Sequence, residues 1–329
     1  MQRLTPPSRD ELLSLRPPKL DNDPEKASGY IVEREPAGDG RTIASATYFL
    51  TGSECRFHCS FCDLWKYTLD TPTPHGSLTR QIQSLHRDLA LSGNQVEWLK
   101  LYNAANFFDP MNVPFEDYES IAAECESMDR IVVENHAALT ASNACLERIR
   151  AFRKLLVPPL EIAMGLESID PEAVRVMNKS MRLGAFERAC DRLSELSIPI
   201  RVFVVLQPAG TRVDEASEWA VRTCQYAFRL GAERCGIIPA RGGNGWMDRL
   251  AREGRWVPPD LSTLESTLHR VFATRESNDQ IATVDLWDWD SLSGGCDACR
   301  NVRYDTLARM NLEQRSVERP LCSVCENAE

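Results

Sequence analysis

The stretch SATYFLTGSECRFHCSFCDLW, residues 45–65, runs a β-type segment directly into a loop carrying Cys55, Cys59 and Cys62. Small, β-branched and aromatic residues up to Leu50, followed by Thr51-Gly52, read as a strand and its stop. Three thiols so closely spaced have an ordinary explanation: positions i, i+4 and i+7 share one face of a helix, and buried cysteines pack as small apolar residues. Their place argues for another, because the C-terminal edge of a strand is where α/β proteins put their sites. Three thiolates on one loop can ligate three irons of a four-iron cluster and leave the fourth open to a ligand. A catalytic zinc with three thiolates would more usually include a histidine, and His58, beside Cys59, reads as a flank of the loop rather than a ligand.

Working outward, short apolar runs recur along the chain: EWLKLY (97–102), RIVVEN (130–135), EIAMGL (161–166), PIRVFVVL (199–206) and RCGIIPA (234–240). Helical periodicity lies between and after them, over 78–91, 115–127, 141–156, 184–196, 214–230 and 261–274, and a seventh short strand, IATVDLW, follows the last helix. Six βα units in a row predict an α/β fold with a parallel sheet and helices outside it. The rhythm alone leaves an open doubly wound sheet and a full or partial barrel as alternatives. Residues 1–40, rich in proline and charge, read as an extended surface arm; 41–290 form the catalytic-sized core, and 291–329 a short Cys-rich tail.

The formal charge of -10 and pI near 5.2 argue against a surface built to neutralise many phosphates. The N-terminus lacks a charged start followed by an apolar run, and no window approaches a membrane span, so the expected place is the cytoplasm, with no membrane partner. In a reducing compartment twelve cysteines read as metal ligands, catalytic groups or core residues rather than a disulfide framework.

The C-x3-C-x2-C spacing after a first core strand, with Phe61 just before the third cysteine, resembles the signature of the radical S-adenosylmethionine (SAM) superfamily. The resemblance implies a partial (βα)6 TIM-type barrel, a 4Fe-4S cluster on Cys55, Cys59 and Cys62, and Phe61 on the adenine side of S-adenosyl-L-methionine. It implies reductive cleavage of SAM to a 5'-deoxyadenosyl radical that abstracts hydrogen from a substrate, with an electron donor such as flavodoxin or ferredoxin. Polar groups at later strand ends become candidate SAM contacts: Tyr102, Asn103 and Asn106 where the superfamily often carries Gly-Gly-Glu, then Glu134, then Gly165, Glu167 and Ser168. The VVENH and GLES segments resemble radical enzymes related to the Elongator catalytic subunit and the archaeosine-forming enzyme. Arg201 and Gln207 on the fifth strand and Pro239 on the sixth complete the set. The glycines of GGNG (242–245) could cradle a phosphate or simply permit a tight turn.

CDAC and CSVC place Cys296, Cys299, Cys322 and Cys325 as two C-x2-C pairs, which suits a structural zinc able to fold a tail too small for its own core. An auxiliary iron–sulfur cluster is the alternative; paired knuckles favour zinc. Three functions stand: a radical SAM enzyme acting on a small molecule or peptide, a tRNA-modifying member of the same class, and a non-enzymatic iron–sulfur or zinc protein. The acidic pI weighs against tRNA, and a loop with three ligands instead of four weighs against a simple carrier.

Overall fold

The computed structural model describes residues 3–318 and 322–325. Eight strands form one sheet in which spatial order equals chain order: β1 (Gly29–Pro36), β2 (Thr42–Phe49), β3 (Trp98–Tyr102), β4 (Arg130–Glu134), β5 (Leu160–Glu167), β6 (Ile200–Leu206), β7 (Arg234–Pro239) and β8 (Ile281–Val284). β2 to β8 are parallel, and β1 joins β2 antiparallel. This is a barrel-like α/β sheet left open between β1 and β8. The expected strands are all present, and the six expected helices appear within a few residues of their predicted limits.

One expectation needs correction. The arm is not simply extended: it forms a short helix, Arg9–Leu15, opened by a Ser8/Glu11 capping box, and then β1. The short Cys-rich tail packs onto the barrel. It contains a 17-residue helix, Asp297–Glu313, that packs against β1 and β8 and contributes Leu307 and Met310 to the main core.

The strands also carry a two-residue alternation hidden inside their apolar runs. Leu99 and Leu101, Leu160, Ile162, Met164 and Leu166, and Ile200, Val202, Val204 and Leu206 point outward into the helical core. The residues between them necessarily face inward. They include Lys100, Glu161 and Arg201, and Arg234 alternates in the same way with Cys235 and Ile237 of β7; all four charged residues are buried.

These charges interlock as a floor at the N-terminal end of the barrel. The Glu161 carboxylate receives Arg201 Nε at 2.7 Å and Arg130 at 2.8 Å. Arg201 also reaches Glu35 of β1 at 2.9 Å, and Lys100 reaches Glu35 at 2.5 Å and Glu33 at 3.1 Å. Arg130 and Arg234 lie over Trp98 at 4.4 and 4.7 Å from its centroid. Burial alone would raise both carboxyls, but Arg201 with Lys100 for Glu35, and the three arginines for Glu161, hold them below the ordinary carboxylate value. Charges at this depth persist because each is paired. β1 therefore supplies counter-charges to the barrel interior as well as a sheet edge.

Candidate active site

The loop after β2 is irregular, not helical, so the three cysteines do not share a helix face. It is tied to the segments that follow several other strands. Asn112 Nδ2 donates to Ser53 O at 2.8 Å, and Arg56 Nε to Asp109 Oδ2 at 2.6 Å. Ser60 donates through N to Met177 O and through Oγ to Val176 O, both at 2.8 Å. Asn178 Nδ2 reaches His58 O at 3.1 Å, Asn244 Nδ2 reaches Ser60 O at 3.0 Å, and Phe57 stacks on His136 at 3.7 Å. A loop bound at so many points holds its thiols in place before any ligand arrives.

All three thiols are free and partly exposed as residues. Burial pushes each upward, Cys59 to about 12, although Lys179 pulls the other way at Cys55 and Cys59. Asn106 Nδ2 donates to Cys55 Sγ at 3.2 Å. A bound metal's positive charge would convert such thiols to thiolates, and the ammonium and amide already face the sulfurs where that negative charge would lie.

Lys179 had no signal in the sequence. It follows helix Pro171–Val176, between Asn178 and Ser180, both in the left-handed region, and its ammonium returns to Glu167 Oε1 at 2.7 Å with both side chains about nine-tenths buried. Burial lowers Lys179, but Glu167 and the neighbouring thiols more than offset this and leave it raised. Glu167 has φ 65° beside a bulge, and Gly165 makes room for its returning carboxylate: a Cβ there would lie 1.9 Å from Glu167 Oε1.

At the end of β3, Glu134 Oε1 accepts the Asn103 peptide N–H at 3.0 Å, Asn103 Oδ1 accepts the Ala105 N–H at 3.3 Å, and Ala104 is left-handed at φ 55°. Burial nevertheless pushes Glu134 up to about 7. Asn106 Oδ1 accepts the His136 N–H at 2.8 Å. Tyr102 meets Phe203 edge-on inside the barrel. Asn103 Nδ2 at the end of β3 and Gln207 Oε1 just beyond β6 are buried and have no partner among the described residues. Each is a polar atom whose desolvation a ligand could offset.

Other candidates have local tasks. Ser168 Oγ accepts the Asp170 N–H, and Phe61 packs against a second apolar cluster around Leu12, Val176 and Trp246. Pro239 ends β7 opposite Leu206. Arg201 does not stand at the rim; as the second residue of β6 it belongs to the floor, facing Glu161 and Glu35. The glycine loop is no phosphate cradle: the Gly243 and Gly245 N–H groups both donate to the Asp248 carboxylate at 2.7 Å.

At the other end of the chain the sulfurs of Cys296, Cys299, Cys322 and Cys325 all lie within 4.8 Å of one another, a set able to bind a metal. No helix among the described residues is long and apolar enough to cross a membrane.

No family model matches the chain. A curated relative, an uncharacterised protein of Methanocaldococcus jannaschii, is 22% identical over 178 residues, covering 53% of this chain and 48% of its own length. The chain thus spans about half the length of the curated relative it matches. Among solved structures, an N-terminally deleted Elp3 of the archaeon Methanocaldococcus infernus aligns with TM-score 0.52 at 11% identity, over 70% of this chain and 59% of that one. A radical SAM methyltransferase of Sphaerobacter thermophilus aligns at TM-score 0.48 and 15% identity, covering 78% and 73%. Over the aligned part the chain shares the fold of that archaeal Elp3.

Proposed function

We propose that the chain is a radical SAM enzyme that uses a 4Fe-4S cluster held by Cys55, Cys59 and Cys62. When bound, that cluster and SAM would supply the reductive cleavage that generates a 5'-deoxyadenosyl radical for hydrogen abstraction. The observation that carries the reading is the thiol triad on a loop fixed from the segments that follow several strands of a barrel of this fold.

The chain's own residues do the rest. Asn106 and Lys179 place a hydrogen-bond donor and a positive charge against the sulfurs. Glu134 holds the β3 turn so that Asn103 presents an unpaired Nδ2 donor, and Gln207 offers an unpaired Oε1 acceptor. Together they suit a ligand bearing both acceptors and donors, as the amino-acid and ribose parts of SAM do. A single electron from a flavodoxin- or ferredoxin-like donor and a small-molecule or peptide substrate complete the reading.

The test is anaerobic reconstitution with iron and sulfide, addition of SAM and dithionite, and detection of 5'-deoxyadenosine. Wild type should form it, and Cys59→Ala should not. No product from wild type, together with an unchanged brown chromophore in Cys59→Ala, would refute the assignment and favour a non-enzymatic metal protein.

A further inference from the structure

Cys296 Sγ lies 3.8 Å from Cys299 Sγ and 3.6 Å from Cys322 Sγ, and Cys299 Sγ lies 3.6 Å from Cys325 Sγ. A metal–sulfur bond of about 2.3 Å in a regular tetrahedron sets sulfurs about 3.8 Å apart. In an iron–sulfur cluster the cysteines cap different irons, and some of their sulfurs must stand roughly 6 Å apart. The quartet, with every sulfur within 4.8 Å of every other, is too compact for that. One ion fits; a cluster does not. Among single ions that take four thiolates, zinc outcompetes ferrous iron in the divalent affinity order and prefers this closed tetrahedral arrangement.

The surroundings match a charged tetrathiolate site. Cys296 caps helix Asp297–Glu313 and Cys299 lies in its first turn, where peptide N–H groups favour negative charge. Arg303, whose positive charge lies beside Cys299, is held by Glu265 at 2.7 and 2.8 Å and by Ser262 Oγ at 3.0 Å. The chain enters the first knuckle through Gly295 at φ 75°, where a Cβ would press on Arg303 at 3.1 Å.

The far end of the same helix covers the free edge of the sheet. Asn311 Oδ1 accepts the Val284 N–H at 2.8 Å, and Asn311 Nδ2 donates to Val284 O at 2.9 Å. Gln314 repeats this at Ala282, accepting its N–H at 3.0 Å and donating to its carbonyl at 2.8 Å. Two side-chain amides thus stand in for a ninth strand along β8.

We propose that Cys296, Cys299, Cys322 and Cys325 bind one structural Zn2+ that fixes helix Asp297–Glu313 over the opening between β8 and β1. The ion is a latch on the barrel, not a second redox centre. This inference does not depend on the chemistry assigned to the N-terminal loop.

The test uses the full chain purified without oxygen. Elemental analysis should give one zinc per chain, and zinc-edge X-ray absorption a shell of four sulfurs. Cys322→Ser/Cys325→Ser should lose the zinc with iron content unchanged, and amide exchange at Ala282 and Val284 should accelerate at least tenfold. Should that variant not fold, Co2+ exchanged into wild type should give the absorption of a tetrahedral thiolate site, and chelation of the metal from wild type should give the same exchange change. Absence of zinc from wild type, or loss of iron in the double variant, would overturn the zinc site. Zinc loss with unaltered exchange at Ala282 and Val284 would overturn the latch.

Discussion

Replacing Glu161 by Gln tests whether the buried charges hold the barrel floor together. Gln keeps the shape but removes the carboxylate charge from among Arg201 at 2.7 Å, Arg130 at 2.8 Å and Arg234 at 3.8 Å. Breaking a buried pair by neutralising one partner costs about 3–5 kcal/mol, because the other charge is left behind in a poorly solvating interior. Three features place the cost near the lower figure. Glu35 still accepts Arg201; Arg234 still donates to the carbonyls of Pro36 and Ala37 at 2.6 and 2.7 Å; and Arg130 is partly solvated. The expected loss is therefore about 3 kcal/mol, read as a fall of about 1 M in the urea midpoint for a slope near 3 kcal/mol/M. The measurement is anaerobic urea unfolding followed by far-UV circular dichroism. Adding Arg201→Met to Glu161→Gln should cost less than the two single losses summed, because they share one network. A Glu161→Gln change within about 0.5 kcal/mol of wild type would refute the view that these charges are interdependent.

Other outcomes follow from the same geometry. Asn103→Ala and Gln207→Ala should each weaken SAM binding to the reconstituted protein about tenfold, measured by equilibrium dialysis, while leaving iron content unchanged. Lys179→Met should destabilise by about 3 kcal/mol, because Glu167 stays buried and unpaired, and Lys179→Met/Glu167→Met should recover much of the loss in thermal unfolding. Glu134, raised from an unfolded value of 4.5 to about 7, binds its proton more tightly in the folded state. Its contribution is thus fully favourable below about pH 4.5 and is lost as pH rises through about 7, so Glu134→Gln should flatten the decline of wild-type stability between pH 5 and 8. Glu35 has the opposite sign: its folded value is depressed, so its stabilisation holds above about pH 4.5 and disappears as pH falls through the folded value. Lys100→Met removes one cause of that depression and should move acid unfolding to higher pH, followed by circular dichroism.

The parallel strands and their helices could be read from the sequence because each is a contiguous signal: an apolar run, a turn, a periodic helix. The inward-facing charges were masked by that same contiguity. Lys100 in EWLKLY, Glu161 in EIAMGL and Arg201 in PIRVFVVL sit between residues buried against the helices, so a two-sided strand looks like a one-character run. β1, GYIVEREP, looked like a polar arm because three of its eight residues are charged, and the partners of those charges, Lys100 and Arg201, lie in distant strands. The cysteine loop was recognisable from spacing, but the atoms that fix it come from Asn112, Met177, Asn178 and Asn244, brought there only by the winding of the barrel. Helix Asp297–Glu313 escaped notice because it exposes no clean apolar stripe: Arg303 is buried on Glu265, and its last turns present Asn311 and then Gln314 to a strand edge.

Because neighbours in the sheet are neighbours in the chain, each strand emerging during synthesis can dock on the one made just before it, and little must wait for distant partners. The last long helix must return to the first strand. Completion of this barrel therefore waits for a helix made after all eight strands, and a nascent chain without it would carry a bare margin ready to recruit a strand from another molecule.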